Sequence, residues 1–275
     1  MATFWDLNAE QWDELGRILA EERLEHVNAI VEDVHPADNF YVRHGKRAVD
    51  IVFSSAALAV TAPLNLVFGI CTYFDVGRPI LFVQKRVGKD GVLFKLVKFR
   101  NMTNEKGPNG ELLPASERVT KFGKFMRQTS MDELLNFWSI FKGDMSVIGP
   151  RPLPALYLPR YNKRHRMRLA VRPGLECPPR SLDHYWSWQE QLENDVWYVE
   201  NVSLKTDVML FFKLIQYALD RKSSEARSEG DDRGTFFGYD WDGTAITEHE
   251  IPEELIERVA RGQGTNECPA AVAES

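Results

Sequence analysis

From Ala48 to Phe74 the chain carries no Lys, Arg or Glu and one acid, Asp50. A run of that length can enter or cross a bilayer, whose core takes about 20 apolar residues as helix. It does not read as a simple span. Pro63 sits near its middle, where it removes a backbone donor and clashes with the preceding turn, and Asn65 follows closely. Both flanks are basic: Arg43, Lys46 and Arg47 before, Arg78, Lys85 and Arg86 after. Basic flanks favour the cytoplasm, so both ends favour the same side. The expectation is a re-entrant helix hairpin that enters the membrane, bends at Pro63 and returns. At about 1.5 Å per residue neither half spans the core alone. A buried hairpin in a soluble core is the competing fold. A cleaved signal peptide does not fit, because the run begins far from Met1 and no small-residue cleavage pattern follows it.

Charge divides the chain into three parts. The net charge of −6 is the sum of −8 over residues 1–40, +14 over residues 41–180 and −12 over residues 181–275. A basic middle between acidic arms suits a domain that faces anionic headgroups and phosphorylated substrates. Nucleic acid is not the expected partner, since no zinc spacing, basic zipper or aromatic RNA-binding motif accompanies the basic residues. Cys71, Cys177 and Cys268 are scattered, with neither a disulfide framework nor metal spacing.

Periodicity places the elements. Apolar residues among acids from Asn8 to Val34 predict an amphipathic helix. It packs on the domain or on a second copy, which leaves a homodimer open. Ile80–Val83 and Val92–Val97 predict a β-hairpin turned at Gly88 and Gly91. Residues 103–117 read as a polar loop, and helices are predicted at Arg118–Met126 and Asp132–Phe141. Tyr157–Leu169 is basic and aromatic, so it is a solvated or an interfacial helix. Leu204–Leu219 is too short to span and is core or interfacial. Glu225–Gly234 reads as a linker, Glu248–Ala260 as a small helix, and the last dozen residues as disordered. The resulting organisation is an acidic N-terminal extension (1–40), a membrane-associated domain (41–220) and an acidic C-terminal tail (221–275). The fold class is α+β, mostly helical, with a cytoplasmic core.

Asp132-Glu133 is the candidate reactive pair. Adjacent carboxylates repel, so one keeps its proton or takes a cation. Arg127 lies upstream and Arg151 downstream, within Gly149-Pro150-Arg151-Pro152. An acidic pair between arginines is what phosphoryl chemistry asks for: a nucleophile or base, a site for a divalent ion and fixed positive charge. The plain alternative is an acidic first helical turn capped by Ser130.

Taken in order, Lys46-Arg47-Ala48-Val49-Asp50, the apolar segment, Gln84-Lys85-Arg86-Val87-Gly88, Phe94 to Met102, Ser130 to Asn136, Lys142 to Ser146 and Gly149 to Pro152 resemble the monotopic polyprenyl-phosphate phosphoglycosyltransferases, the bacterial sugar transferase family. The resemblance runs from about Lys46 to about Leu219. It implies transfer of a sugar-1-phosphate from a nucleoside diphosphate sugar, usually a UDP-sugar, to polyprenyl phosphate, with UMP released. It implies a covalent phosphosugar ester on Asp132, Glu133 in support, and Mg²⁺ held at Asp132. Arg127, Arg151, Pro152, Lys98, Arg100 and Asp195 are the implied substrate contacts. The implied location is the cytoplasmic face of a bacterial inner membrane, among its lipids.

Two stretches depart from the family pattern. A Gly-Trp-Ala-Gln-Val-Asn-Gly-Arg segment usually follows the Arg-Pro-Gly seen here as Arg172-Pro173-Gly174. Leu175 to His184 replaces it, with Arg180 as a candidate for the missing arginine. A small hydroxyl residue usually precedes the membrane proline. Ala62 stands there, leaving Thr61 as the nearest side chain to satisfy the broken backbone. Two other readings therefore remain: a member with altered donor or lost turnover that scaffolds a glycan-assembly complex, and a non-enzymatic lipid-binding protein.

Overall fold

The computed structural model describes residues 4–108, 110–178, 187–219 and 233–262. Among these, helix predominates and strands pair only two by two, in line with a mostly helical α+β chain. Helix α1 (Ala9–Ile30) begins at a reciprocal cap. The Asn8 side chain accepts from Gln11 N–H at 3.0 Å, and the Gln11 side chain accepts from Asn8 N–H at 2.9 Å, satisfying two otherwise orphaned donors. Its apolar stripe, Leu15, Ile18 and Leu19, is buried against Phe237, Ile246, Leu255 and Ile256. The helix therefore packs on the far end of its own chain.

Helix α2 (Lys46–Val76) follows a π-helical turn at Tyr41–Gly45 and contains Pro63. Tyr41–Val76 is the one helix among the described residues long and apolar enough to cross a membrane. Val52, Val60, Leu66, Val67 and Phe74 stand exposed on it. Its two ends are fastened to the same folded body. Near the start, Arg47 donates to the Ile140 and Phe141 carbonyls at 2.6 Å each. Asp50 Oδ1 accepts from the Ser146 hydroxyl at 2.9 Å and from Val147 N–H at 3.0 Å. Near the end, Asp75 accepts from the Thr120 hydroxyl at 2.6 Å, and Arg100 donates to the Val76 carbonyl. Pro63 has no N–H for the Ala59 carbonyl one turn back. Thr61 does not replace it, because its hydroxyl bonds the Ala57 carbonyl at 2.8 Å.

Strands β1 (Leu81–Val87) and β2 (Leu93–Phe99) form the antiparallel hairpin, with Gln84 opposite Leu96 and Val87 opposite Leu93. Both strands run past the residues expected, carrying Arg86 and Lys98 into the sheet. Helix α3 (Lys121–Thr129) ends at Ser130, and a 3₁₀ turn (Met131–Glu133) precedes α4 (Asn136–Lys142). The helix expected at 132–141 is thus split. Strand β3 (Ser146–Ile148) pairs in parallel with β4 (Gly174–Glu176).

The stretch 157–169 is neither a solvated nor an interfacial helix. It is a series of short turns in which Tyr157, Arg160, Tyr161, His165 and Arg168 are buried. Its cations find partners distant in sequence, such as Glu193 for Arg164 and Asp195 for Arg168, and pairing is what permits their burial. Helices α5 (Trp188–Asn201) and α6 (Leu204–Leu219) follow. On α6, Leu210 is buried while Leu204, Val208, Phe212 and Ile215 are exposed, so one helix serves the core and keeps an open apolar face. Strands β5 (Gly238–Tyr239) and β6 (Ala245–Ile246) and helix α7 (Glu253–Ala260) close the described chain.

Candidate active site

Asp132 is placed by the sharp turn between α3 and α4. Ser130 adopts a left-handed conformation, with φ 55°, at that turn. Its side chain makes no cap bond to the turn that follows, so the acidic pair is not a Ser-capped helix start. Gly123 brings α3 close. A Cβ there would stand 2.1 Å from the Asn101 carbonyl oxygen, so any side chain would push the helix away. This approach delivers Arg127, whose Nη2 donates to Asn101 Oδ1 at 3.1 Å. Asn101 Nδ2 in turn donates to Asp132 Oδ2 at 2.9 Å. One amide therefore links the cation to the carboxylate.

The adjacent carboxylates are tuned apart. Asp132 is 4 % exposed. Its pKa is pushed up to about 6, first by burial and then by the Glu133 charge, against the opposing pull of Lys98 and Arg127. Burial also acts on Glu133, but Arg151, Lys98 and Arg86 outweigh it and hold its pKa below the usual range. Glu133 Oε1 lies 2.6 Å from Arg151 Nη2. Two neighbouring acids separated in this way take different roles. Glu133 stays ionised and orients Arg151, and Asp132 changes protonation near neutral pH.

Arg151 is held on several sides. Its Nη1 donates to the Leu175 carbonyl at 3.2 Å and meets Glu176 Oε2 at 3.4 Å. Arg86 donates to the Pro152 carbonyl at 3.2 Å. Arg168, itself buried, donates to the Arg151 carbonyl at 2.8 Å and to Asp195 Oδ2 at 2.7 and 3.0 Å.

Of the residues singled out from the sequence, Asp132, Glu133, Arg127, Arg151, Pro152 and Lys98 gather here. Lys98 acts on both carboxylates, and burial lowers its own pKa. Arg100 is turned to the last carbonyl of α2, where a helix end attracts a cation. Asp195 is 1 % exposed and paired with Arg168, so it reaches the site only through the Arg151 carbonyl. Asn101, Arg86, Arg168 and Glu176 contribute without having stood out in the sequence. Asn101 and Arg86 lie inside the ordered motifs, but nothing in one dimension reveals which partner an amide or guanidinium will meet. Arg180 lies outside the described residues.

Among the described residues no cluster of three or more His, Cys, Asp or Glu could hold a metal ion. Glu133 is committed to Arg151, which leaves Asp132 as the nearby carboxylate donor. One carboxylate completed by substrate phosphate oxygens and water is a donor set suited to Mg²⁺, which seldom uses an all-protein cage.

Carboxylates split in this way, with guanidinium groups fixed around them in a chain that carries a long apolar helix, suit an enzyme that handles phosphoryl groups. The chain belongs to the bacterial sugar transferase family, whose model matches residues 41–221. It is an enzyme of the polyprenyl-phosphate phosphoglycosyltransferase class, as its ordered motifs imply. The uncharacterized sugar transferase EpsL of Bacillus subtilis is 36 % identical over 175 residues, covering 63 % of this chain and 87 % of that protein. The exopolysaccharide production protein PSS of Rhizobium leguminosarum bv. phaseoli is 32 % identical over 194 residues, covering 64 % and 96 %. The UDP-N-acetylgalactosamine-undecaprenyl-phosphate N-acetylgalactosaminephosphotransferase of Aeromonas hydrophila is 32 % identical over 183 residues, covering 63 % of this chain but only 43 % of the longer relative.

Proposed function

We propose that the chain transfers a sugar-1-phosphate from a UDP-sugar to undecaprenyl phosphate in two steps through Asp132. The observation that carries this reading is the placement of the buried Asp132–Glu133 pair, with Asn101 linking Asp132 to Arg127 and Glu133 paired with Arg151. An Asp132 oxygen attacks the phosphorus that bears the sugar. The new O–P bond replaces the bond to the UMP oxygen, and UMP leaves with the electron pair. An oxygen of the lipid phosphate then attacks the same phosphorus, and the Asp132 carboxylate departs. The product is a lipid diphosphate sugar. Bidentate guanidinium groups suit the phosphate oxygens better than an ammonium does. The anionic donor would compete with Glu133 and Glu176 for Arg151. Mg²⁺ bound by Asp132 and the diphosphate would neutralise charge during the displacement.

The acceptor phosphate sits at headgroup level, and several features support an active site there. A helix that crossed the bilayer would carry its ends to opposite sides, whereas both ends of α2 are tied to one body. This favours re-entrant insertion from the cytoplasmic face of the inner membrane. Exposed Trp138, Phe141, Val208 and Phe212, near Lys142 and Lys205 in sequence, suit the boundary between headgroups and acyl chains. The test is a UMP-release screen over nucleotide sugars with polyprenyl phosphate and Mg²⁺. Release from at least one UDP-sugar supports the reading; release from none overturns it.

A further inference from the structure

We propose that Arg160 is a positioning residue for Arg151, clasping helix α1 and the segment 233–262 beneath the segment 151–160. The inference rests on the reading of Arg151 as a phosphate-holding group. Helix α1 and residues 233–262 lie outside the family match of 41–221, and both of them touch this guanidinium. Arg160 is 3 % exposed. Its Nη1 donates to the Phe236 carbonyl at 2.7 Å, and its Nη2 donates to Asp13 Oδ1 at 3.4 Å. Its plane lies over the rings of Phe237 and Tyr157, 5.0 and 5.6 Å from their centroids. Helix α1 approaches through Gly16, where a Cβ would stand 2.4 Å from the guanidinium carbon. Two hydrogen bonds and two rings thus surround a cation whose burial by itself says little about stability.

Two lines of contact run from this clasp to the Arg151 backbone. On one side, Leu153 packs in the same core cluster as Tyr157, Phe236 and Tyr239, and its carbonyl accepts from Val87 N–H at 3.2 Å. On the other, Tyr161 stacks on Phe236 with centroids 5.9 Å apart. The Tyr161 hydroxyl accepts from Arg168 Nη1 at 3.4 Å, and Arg168 Nη2 donates to the Arg151 carbonyl. Tyr239 braces the same turn, because its hydroxyl meets His165 Nδ1 at 2.8 Å and accepts from Asn162 N–H at 3.3 Å. The basic and aromatic stretch 157–169 thereby transmits the packing of α1 and residues 233–262 to the arginine beside Glu133. A displacement of about 1 Å at a phosphate contact can change a rate by up to roughly 100-fold.

A contiguous set of contacts is not proof of coupling, so the test is a double-mutant cycle on the full chain, with the UDP-sugar that the UMP screen selects. Arg160→Lys keeps the charge but loses the planar fork that spans Phe236 and Asp13. It should raise the donor KM or lower kcat/KM about tenfold in protein that still melts cooperatively. In the Arg151→Lys background the same substitution should cost less than about twofold, because its effect runs through Arg151. Tyr239→Phe keeps the ring and loses the hydroxyl. It should act in the same direction with a smaller effect, and it decides the matter if Arg160→Lys does not fold. Equal losses in both backgrounds, or no loss from either variant in folded protein, would overturn the proposal. Unchanged activity of Arg151→Lys alone would instead remove the phosphate-holding reading on which it rests.

Discussion

Arg151 Nη2 stands 2.6 Å from Glu133 Oε1, closing a span of 18 residues. The ion pair fixes the guanidinium beside the neighbour of Asp132 and helps to hold the Glu133 pKa below the usual range. On the proposed mechanism a substitution at Arg151 does two things: it weakens a phosphate contact and removes the cation that partly offsets the Glu133 charge beside Asp132. Arg151→Lys should lower kcat/KM by about 10- to 100-fold, since a single ammonium replaces a bidentate fork. Steady-state kinetics on membrane fractions would show this.

The covalent step is the most direct check on Asp132. With radiolabelled sugar in the donor and no lipid acceptor, wild-type protein should retain label after denaturation. Asp132→Asn should retain none and release no UMP. Glu133→Gln should impair turnover while leaving a residual rate. Label mapped to another residue would exclude Asp132 as nucleophile while leaving the family assignment intact.

The raised pKa of Asp132, about 6, fixes the direction of a pH effect. Below that value the carboxyl is protonated and does not attack. The rate of the first step should therefore rise with pH through about 6 and then level off. The same shift has a consequence for stability. The folded state holds the Asp132 proton more tightly than the unfolded chain, so this group's contribution falls as pH rises from the ordinary carboxylate range through about 6. Asp132→Asn should then melt at a higher temperature than wild type at pH 7 and lose that advantage near pH 4. A melting series across this range measures it.

Metal dependence follows from the charge at the site. Turnover should require Mg²⁺ or Mn²⁺ and stop with excess chelator, because the attacked diphosphate carries several negative charges close to two carboxylates. Full turnover in chelator would remove the metal from the mechanism.

Cysteine accessibility in intact cells tests the membrane geometry. Single cysteines near Arg43 and near Arg86 should both be protected from an impermeant reagent added outside. Labelling of one and not the other would show a span. Pro63→Ala, which restores a donor for the Ala59 carbonyl, should straighten the segment and shift the pattern toward a span.

Composition and order alone determined a good deal here. The apolar run, its basic flanks and the ordered motifs identify a membrane-associated enzyme of this family, because hydropathy and motif spacing are properties of a line. The amphipathic N-terminal helix and the β-hairpin are legible for the same reason, since local periodicity sets which face is buried. What the tertiary structure decided is partner choice. Tyr157–Leu169 looks like a surface helix in one dimension, and only packing among α1, α5 and residues 233–262 turns Arg160 and Arg168 inward. Asp195 looks like a substrate contact until Arg168 is found beside it. Asn101 has no visible role within its motif until Gly123 lets α3 close on it. Each outcome depends on groups brought together across long stretches of chain, and desolvation makes the partner, rather than the residue type, decide the role.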